Sequence, residues 1–465
     1  MNLGERLRGV VRPGGTASGS LPAGSAGPAS WQAPHAYVAS GPKPGGEPNL
    51  PKVARASDVP SRPSCTATVL GGEWRESRGC RYVTVERRYP VGYRLGRVSV
   101  GDCLPGESGV WPALPLLMDT PPDSAAVTDR LLFVDLETTG LAGGAGTYAF
   151  LIGLGWFERA SFRVRQFLLT SYAAERVLLE EVAGLASQVG SLVTYNGKTF
   201  DVPLLDTRFL FHRMSLPFGG LAHLDMLHQA RRLWRPPSAG ESPGEEGQSR
   251  ATCRLSVVEE AVLGHVRQGD VPGFEIPSRY FHYVRTGDAR PLDAVFEHNR
   301  VDLLALAMVT ATAARLLHSG PEASRTAREA VGLGQLYQRS GRLDEARASF
   351  RRGASLPGSP SAQAEALRAY GLLCRRTGQF GQAAEAWQRI LALPGCPVAI
   401  ATDASDALAV HHEHRLRDFR TARQFAVRSL ELAASGARRQ AARHRVMRLD
   451  RKLGTPVAAR APLLL

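Results

Sequence analysis

The chain has 465 residues, 43% of them hydrophobic, with 57 Lys or Arg against 43 Asp or Glu and a net charge of +14. That length exceeds what one core supports and points to two or three domains. No uninterrupted apolar run approaches the ~20 residues that span a bilayer, and the opening Met1-Asn2-Leu3-Gly4-Glu5-Arg6 holds no apolar signal core. No membrane partner is therefore expected, and the expected location is cytoplasmic. The cysteines (Cys65, Cys80, Cys103, Cys253, Cys374 and Cys396) are scattered without a CxxC pair. This argues against a zinc ribbon or a disulfide scaffold and for reduced thiols.

Residues 1–60 are rich in Gly, Pro, Ser and Ala without apolar periodicity, the composition of a disordered arm. Residues 61–125 include alternating stretches such as Arg81-Tyr82-Val83-Thr84-Val85-Glu86 and read as a small β-rich extension. The pattern sharpens over 126–318. Strands are predicted at Leu131–Leu136, Thr147–Gly155 and Phe162–Leu169, with links short enough for an antiparallel meander. A helix over Ala173–Val189 and a short buried strand at Leu192–Tyr195 follow. Helices are then expected at Asp201–His212, Asp225–Trp234, Leu255–Leu263 and Leu292–Leu317, with Pro236–Arg250 as a flexible excursion. The Gly-rich stretch Gly140–Gly146 precedes a strand, not a helix, so it reads as a hairpin turn and not as a phosphate cradle.

Past Gly320 the chain turns helical and repetitive. Tyr337, Gly341, Ala346, Phe350 and Pro357 recur 37 residues later as Cys374, Gly378, Ala383, Trp387 and Pro394, and a looser third copy runs through Phe419, Ala422, Ala426 and Leu430. Small residues at fixed helix positions let paired helices pack closely. Residues 321–455 therefore resemble tetratricopeptide repeats, with a period slightly above the usual ~34 residues. Residues 321–465 hold 24 Lys or Arg against 12 Asp or Glu, most of the chain's excess charge. The excess suits a polyanion partner, and equally a solvated helix surface. His411-His412-Glu413-His414 reads as a solvated helix end.

Three short motifs carry the chemistry. In Leu131-Leu132-Phe133-Val134-Asp135-Leu136-Glu137-Thr138, the i, i+2 spacing sends Asp135 and Glu137 out of one sheet face. Paired carboxylates repel unless a cation neutralises them, and an oxygen-only set suits Mg²⁺ or Mn²⁺. Tyr195-Asn196-Gly197-Lys198-Thr199-Phe200-Asp201 places an Asp just past a buried strand, where a helix-capping role is the competing explanation. His298-Asn299-Arg300-Val301-Asp302 puts His298 and Asp302 one turn apart on a long apolar helix.

Asp-x-Glu, then Asn-x-x-x-Phe-Asp, then His-x-x-x-Asp, in this order, resemble the three exonuclease motifs of the DEDD superfamily. The stretches Cys253-Arg254-Leu255-Ser256, Glu259-Glu260, Gly269-Asp270-Val271-Pro272-Gly273 and Ile276-Pro277 are similar to the bacterial YprB-like branch of RNase H-like proteins. The resemblance implies an α/β fold: an RNase H-like three-layer domain with a mixed sheet, followed by all-α tetratricopeptide-like repeats. It implies a two-metal phosphodiesterase, with Asp135, Glu137, Asp201 and Asp302 holding two Mg²⁺ or Mn²⁺ ions and His298 as the base. Thr138, Asn196, Lys198 and Arg300 are the expected substrate contacts. The expected substrate is single-stranded DNA or RNA, hydrolysed from the 3′ end, with a further protein partner on the repeats. One register differs: DEDD enzymes carry Tyr four residues before the last Asp or His five before, whereas His298 lies four before Asp302. The alternative is a nucleic-acid-binding scaffold whose repeats recruit a protein.

Overall fold

The computed structural model describes residues 64–104, 111–118, 130–140, 146–235, 253–433 and 436–454. The expected arm, the Pro236–Arg250 excursion and the tip of the hairpin turn lie outside the described residues. After a short helix α1 (Ser64–Val69), strands β1 (Glu73–Ser77) and β2 (Cys80–Pro90) form a hairpin, and β3 (Arg94–Leu95) and β4 (Val98–Ser99) a minimal ladder. Strands β5 (Leu131–Thr138), β6 (Ala149–Glu158) and β7 (Ser161–Leu168) make the expected meander. Then come α2 (Glu175–Ala186), β8 (Ser191–Thr194), α3 (Asp201–Phe211), β9 (Ala222–Asp225) and α4 (Met226–Leu233). Helices α5 (Leu255–Leu263), α6 (Ile276–Thr286) and α7 (Arg290–Ser319) complete this part.

The sheet has seven strands in the order β1-β2-β7-β6-β5-β8-β9. Its pairs are antiparallel up to β5 and parallel across β5-β8-β9, a mixed RNase H-like sheet. The β-rich extension does not stand apart: β2 pairs with β7 from Val83 to Pro90 and continues the sheet. An edge strand with unpaired backbone groups recruits whatever extended segment is near. Helix α6 is absent from the sequence reading, whereas β9 was legible only as a strand end at His223-Leu224-Asp225. Four residues are too few for a periodic signal, and α6 interleaves aromatic and charged residues (Arg279-Tyr280-Phe281-His282-Tyr283).

Alternation along β5 sorts its side chains to two faces. Leu131 and Phe133 join a core with α4, α5 and the second half of α7, whereas Leu132, Val134 and Leu136 face α2, α3 and α6. Asp135 and Glu137 thus belong to the α7 face. Helix α7 has 30 residues and is long and apolar enough to cross a membrane; 67% of its most apolar window is packed inside the protein. The mean over that window, not an unbroken run, gives it this character, and Ala-rich stretches such as Ala305–Ala314 fill its contact with the sheet.

A helical array follows: α8 (Ala327–Arg339), α9 (Leu343–Ser355), α10 (Pro360–Arg376), α11 (Phe380–Ala392), α12 (Val398–His411), α13 (Phe419–Leu432) and α14 (Gly436–Lys452). The same core continues through α8 to α12, and Ala422, Ala426 and Leu449 of α13 and α14 form a smaller cluster with Ala409. The 37-residue offset has a packing counterpart. A Cβ on Gly334 would lie 2.4 Å from the Phe350 ring, and one on Gly371 would lie 2.9 Å from Trp387. In both pairs the aromatic ring of the second helix fills the space a side chain would take. His412–Leu416 forms a π-helical turn, and Glu413 corrects the reading of a solvated end. Its side chain is fully buried and bonds Arg448 (2.7 Å) and Lys452 (2.8 Å) of α14. The charge pattern of the tetrapeptide carried no sign of partners 35 and 39 residues downstream.

Candidate active site

The site lies at the carboxyl ends of β5, β8 and β9, beside the point where the sheet changes from antiparallel to parallel. Open α/β sheets present their ligand crevices at such ends. A register shift between Glu137 and Thr138 interrupts β5 where its carboxylates emerge, and bulges of this kind re-aim side chains. Asp201 opens α3, reached from β8 through the turn Tyr195–Phe200. The half-buried Asn196 sits there at φ +68°. This turn is organised by Asp225, which is 2% exposed at the end of β9. Its carboxylate accepts from Asn196 N (2.7 Å) and Lys198 N (3.1 Å) and caps α4 at Leu227 N (3.1 Å). Asp225 thus holds the loop that delivers Asp201.

Three of the four carboxylates are shifted by burial and by their neighbours' charges. Burial, then the charges of Asp302, Glu137 and Asp201, push Asp135 well above the ordinary range. Glu137 rises for the same reasons, with burial first and then Asp302, Asp201 and Asp270. Burial drives Asp201 up to about 7, with Asp225 and Asp302 adding to it, against the bond it accepts from the Leu136 backbone. A cluster so short of positive charge fits divalent cations by the chemistry of its donors: oxygen only, negative, and removed from water. The structure does not draw it into a finished ligand set. Among the described residues, no three His, Cys, Asp or Glu side chains form a group that could hold a metal ion. Two side chains stand between them. Asn299 Nδ2 donates to Asp135 Oδ2 (2.7 Å) and to its carbonyl (3.1 Å), and Arg267 Nη2 pairs with Asp302 Oδ1.

Asn299 is fully buried, and its Oδ1 accepts from Gln166 Nε2 (2.8 Å), which also donates to the Phe296 carbonyl (2.8 Å). This chain of bonds ties β7, α7 and β5 together behind Asp135. It needs a close approach of α7 to the sheet: a Cβ on Gly153, opposite Asp135 on β6, would lie 2.2 Å from Asn299 Oδ1.

His298 lies among the carboxylates, with Nε2 3.6 Å from Asp302 Oδ2 and 4.0 Å from Glu137 Oε1. Its Nδ1 is 2.6 Å from Asp270 Oδ1. Burial alone would raise Asp270; the bond to His298 and the charge of Arg267 outweigh it and hold this carboxyl low. The spacing of four residues therefore brings His298 to the cluster, and an off-helix carboxylate orients its ring. Asp270 was within reach of sequence reasoning, because Gly269-Asp270-Val271-Pro272-Gly273 stood out as a motif. Nothing linear joins it to a histidine 28 residues on.

The expected substrate contacts divide. Lys198 is exposed on the Asp201 loop, and its charge, after burial, lowers the pKa of His223 to about 4. The Thr138 hydroxyl donates locally to the Gly140 carbonyl (3.0 Å) beside the bulge. Arg300 is not brought to the site: it pairs with Glu297 and lies by Tyr89 and Tyr93. Two residues beyond His298 on a helix is a rotation of ~200°, to the far side.

Residues 132–314 match the model of the RNase H superfamily. The chain is also similar to YprB, an uncharacterized protein of Bacillus subtilis (strain 168), at 33% identity over 219 residues. The match covers 47% of this chain and 50% of YprB, so the chain spans about half the length of the curated relative it matches.

Proposed function

We propose that the RNase H superfamily domain over residues 132–314 is a metal-dependent nuclease that removes nucleotides from the 3′ end of single-stranded DNA or RNA. The superfamily suggests a nuclease and a nucleic-acid ligand. The polarity, the strandedness and the residue roles are the present reading. The observation that carries it is the mutual elevation of Asp135, Glu137 and Asp201 around Asp302 at one end of the sheet. Burying several carboxylates together destabilises a fold, and clusters that do so are concentrated where chemistry needs them.

Asp135, Glu137, Asp201 and Asp302 would hold two Mg²⁺ or Mn²⁺ ions. Such ions supply charge neutralisation at the scissile phosphate and a nucleophile available at neutral pH. His298 takes a proton at Nε2, because Asp270 occupies Nδ1 and leaves Nε2 aimed into the cluster. Lys198 meets the phosphate next along the strand from the exposed loop beside Asp201. The excess of Arg on the helical array supports its reading as a tetratricopeptide-like surface that meets nucleic acid or a protein partner.

End-labelled single-stranded DNA and RNA, incubated with Mg²⁺, Mn²⁺ or chelator, test the reading. The expected result is a ladder shortening from the 3′ end, release of nucleoside 5′-monophosphates, and no cleavage with chelator. Intact substrate under every condition would favour the scaffold alternative. Internal cuts would keep the metal chemistry and overturn the polarity.

A further inference from the structure

We infer that Arg267, anchored by the buried Glu259, is a positioning residue that sets the last carboxylate of the cluster and, through Asp270, the histidine; this rests on the nuclease reading above. One guanidinium meets three carboxylates from three separate stretches of chain. Nε (2.9 Å) and Nη2 (2.7 Å) donate to Glu259 Oε2 on α5, Nη1 donates to Asp270 Oδ2 (3.2 Å), and Nη2 also pairs with Asp302 Oδ1 on α7. The planar fork is what allows this. An ammonium offers only three protons, and not in directions that hold three partners in one plane.

Glu259 is the informative member. Its side chain is fully buried, and among the described residues its hydrogen-bond and ion-pair partners are Arg267 and His265. Taking a carboxylate out of water costs several kcal/mol before pairing offsets it. His265 meets Glu259 at Oε1 and Arg267 at Oε2, so α5 fixes the guanidinium from behind while the front meets Asp302 and Asp270. Four of the five N–H groups of Arg267 are engaged by carboxylates. Arg267 is therefore poorly placed to serve as a phosphate ligand and well placed to hold its partners.

The arrangement also accounts for the unusual histidine register. At four residues' spacing His298 and Asp302 share one helix face, and the helix alone leaves the imidazole free to turn about its side-chain bonds. Asp270 stops that rotation at Nδ1, and Arg267 in turn fixes Asp270 and Asp302 relative to each other. Groups that orient metal ligands and catalytic histidines in this way typically affect metal affinity or activity ~10–100-fold when removed.

The test uses the full chain with Arg267→Gln, Arg267→Lys, Glu259→Gln and the double variant Glu259→Gln/Arg267→Gln. Mn²⁺ affinity is measured by calorimetry, cleavage of end-labelled single-stranded DNA in single turnover, and folding by circular dichroism. Arg267→Gln frees Asp302 of its cation, so Mn²⁺ binding should tighten while kcat falls ~10–100-fold at unchanged KM. A merely structural role would weaken both together. Arg267→Lys should fall between. The double variant should match Arg267→Gln alone, because Glu259 acts only through Arg267. Mn²⁺ binding and turnover within twofold of the unsubstituted chain, effects of the two single variants that simply add, or no Mn²⁺ binding by the unsubstituted chain would each overturn the inference. If Arg267→Gln tightens Mn²⁺ binding and no protein cleaves, the positioning role stands and the nuclease reading fails.

Discussion

Asp135 and Glu137 illustrate how a local rule can place chemistry. Two carboxylates two apart on a strand face one way whatever surrounds them, and here they face α7 and its histidine. Their elevated pKa values mean that the metal-free fold resists ionising them. Replacing them with neutral isosteres relieves repulsion and, on the proposed nuclease reading, removes metal ligands at once. Asp135→Asn and Glu137→Gln should therefore lower cleavage ~10³-fold or more while the melting temperature in chelator stays level or rises. A pH series checks the same electrostatics from the other side. A carboxyl raised in the folded state contributes fully to stability below its unfolded value of ~4, and the contribution is lost as pH climbs toward the folded value. With Asp201 at about 7, the chelator-treated protein should melt at higher temperature near pH 5 than near pH 8. Asp201→Asn should flatten that profile. The partner of His298 illustrates the opposite case. Asp270 carries no signal of its role, because a carboxylate beside an imidazole is a fact about space and not about spacing.

Among the elements, α7 bears the most. Its first half packs against α6 and the α2–α3 face, and its second half against α4 and α5. Both its apolar length and the His-x-x-x-Asp turn were readable as a helix pattern. Its closeness to the sheet was not, and that closeness rests on Gly153. An alanine there would push Asn299 away from Asp135 and Gln166. Gly153→Ala should destabilise the protein by about 1–3 kcal/mol, the usual cost of forcing bulk into a packed core, and should impair cleavage through the displaced Asp135. Urea unfolding measures the first effect and the end-label assay the second. Unchanged stability would mean that the α7 contact yields more easily than its geometry implies. The π-turn after α12 teaches a similar lesson. Glu413 looked like a surface charge in a run of histidines, yet Arg448 and Lys452 overcome its burial and hold it at about 2.

At the scale of the molecule, the sheet and the helical array as far as α12 share one apolar core. Trp234 Nε1 donates to Glu329 Oε1 (3.0 Å), the Tyr337 hydroxyl to the Leu317 carbonyl (2.6 Å), and Gly332 lies against the Arg232 backbone. Deleting 321–465 would expose that core, so the electrostatic role of the array is better tested by charge reversal on its far helix. Arg439, Arg443 and Arg451 of α14 are exposed. If they contact phosphates, Arg439→Glu/Arg443→Glu/Arg451→Glu should weaken binding of single-stranded DNA and reduce the slope of log affinity against log salt by about 0.7 per lost contact. A slope unchanged by the triple variant would assign the basic face to a protein partner or to solvent.

The linear order of residues was enough to establish the strand–helix succession, the facing of Asp135 and Glu137, the helical pairing of His298 with Asp302, and the 37-residue recurrence. Each of these follows from the period of a strand or helix, which acts over a few residues, or from self-similarity along the chain. The merging of the β-rich extension into the main sheet, the burial of Glu413, the turning of Arg300 away from the carboxylates, and the assembly of Glu259, Arg267, Asp270 and Asn299 behind the site became visible only in three dimensions. Those are contacts between segments tens of residues apart, and their energies depend on burial and on which charges meet, quantities that have no local period to read.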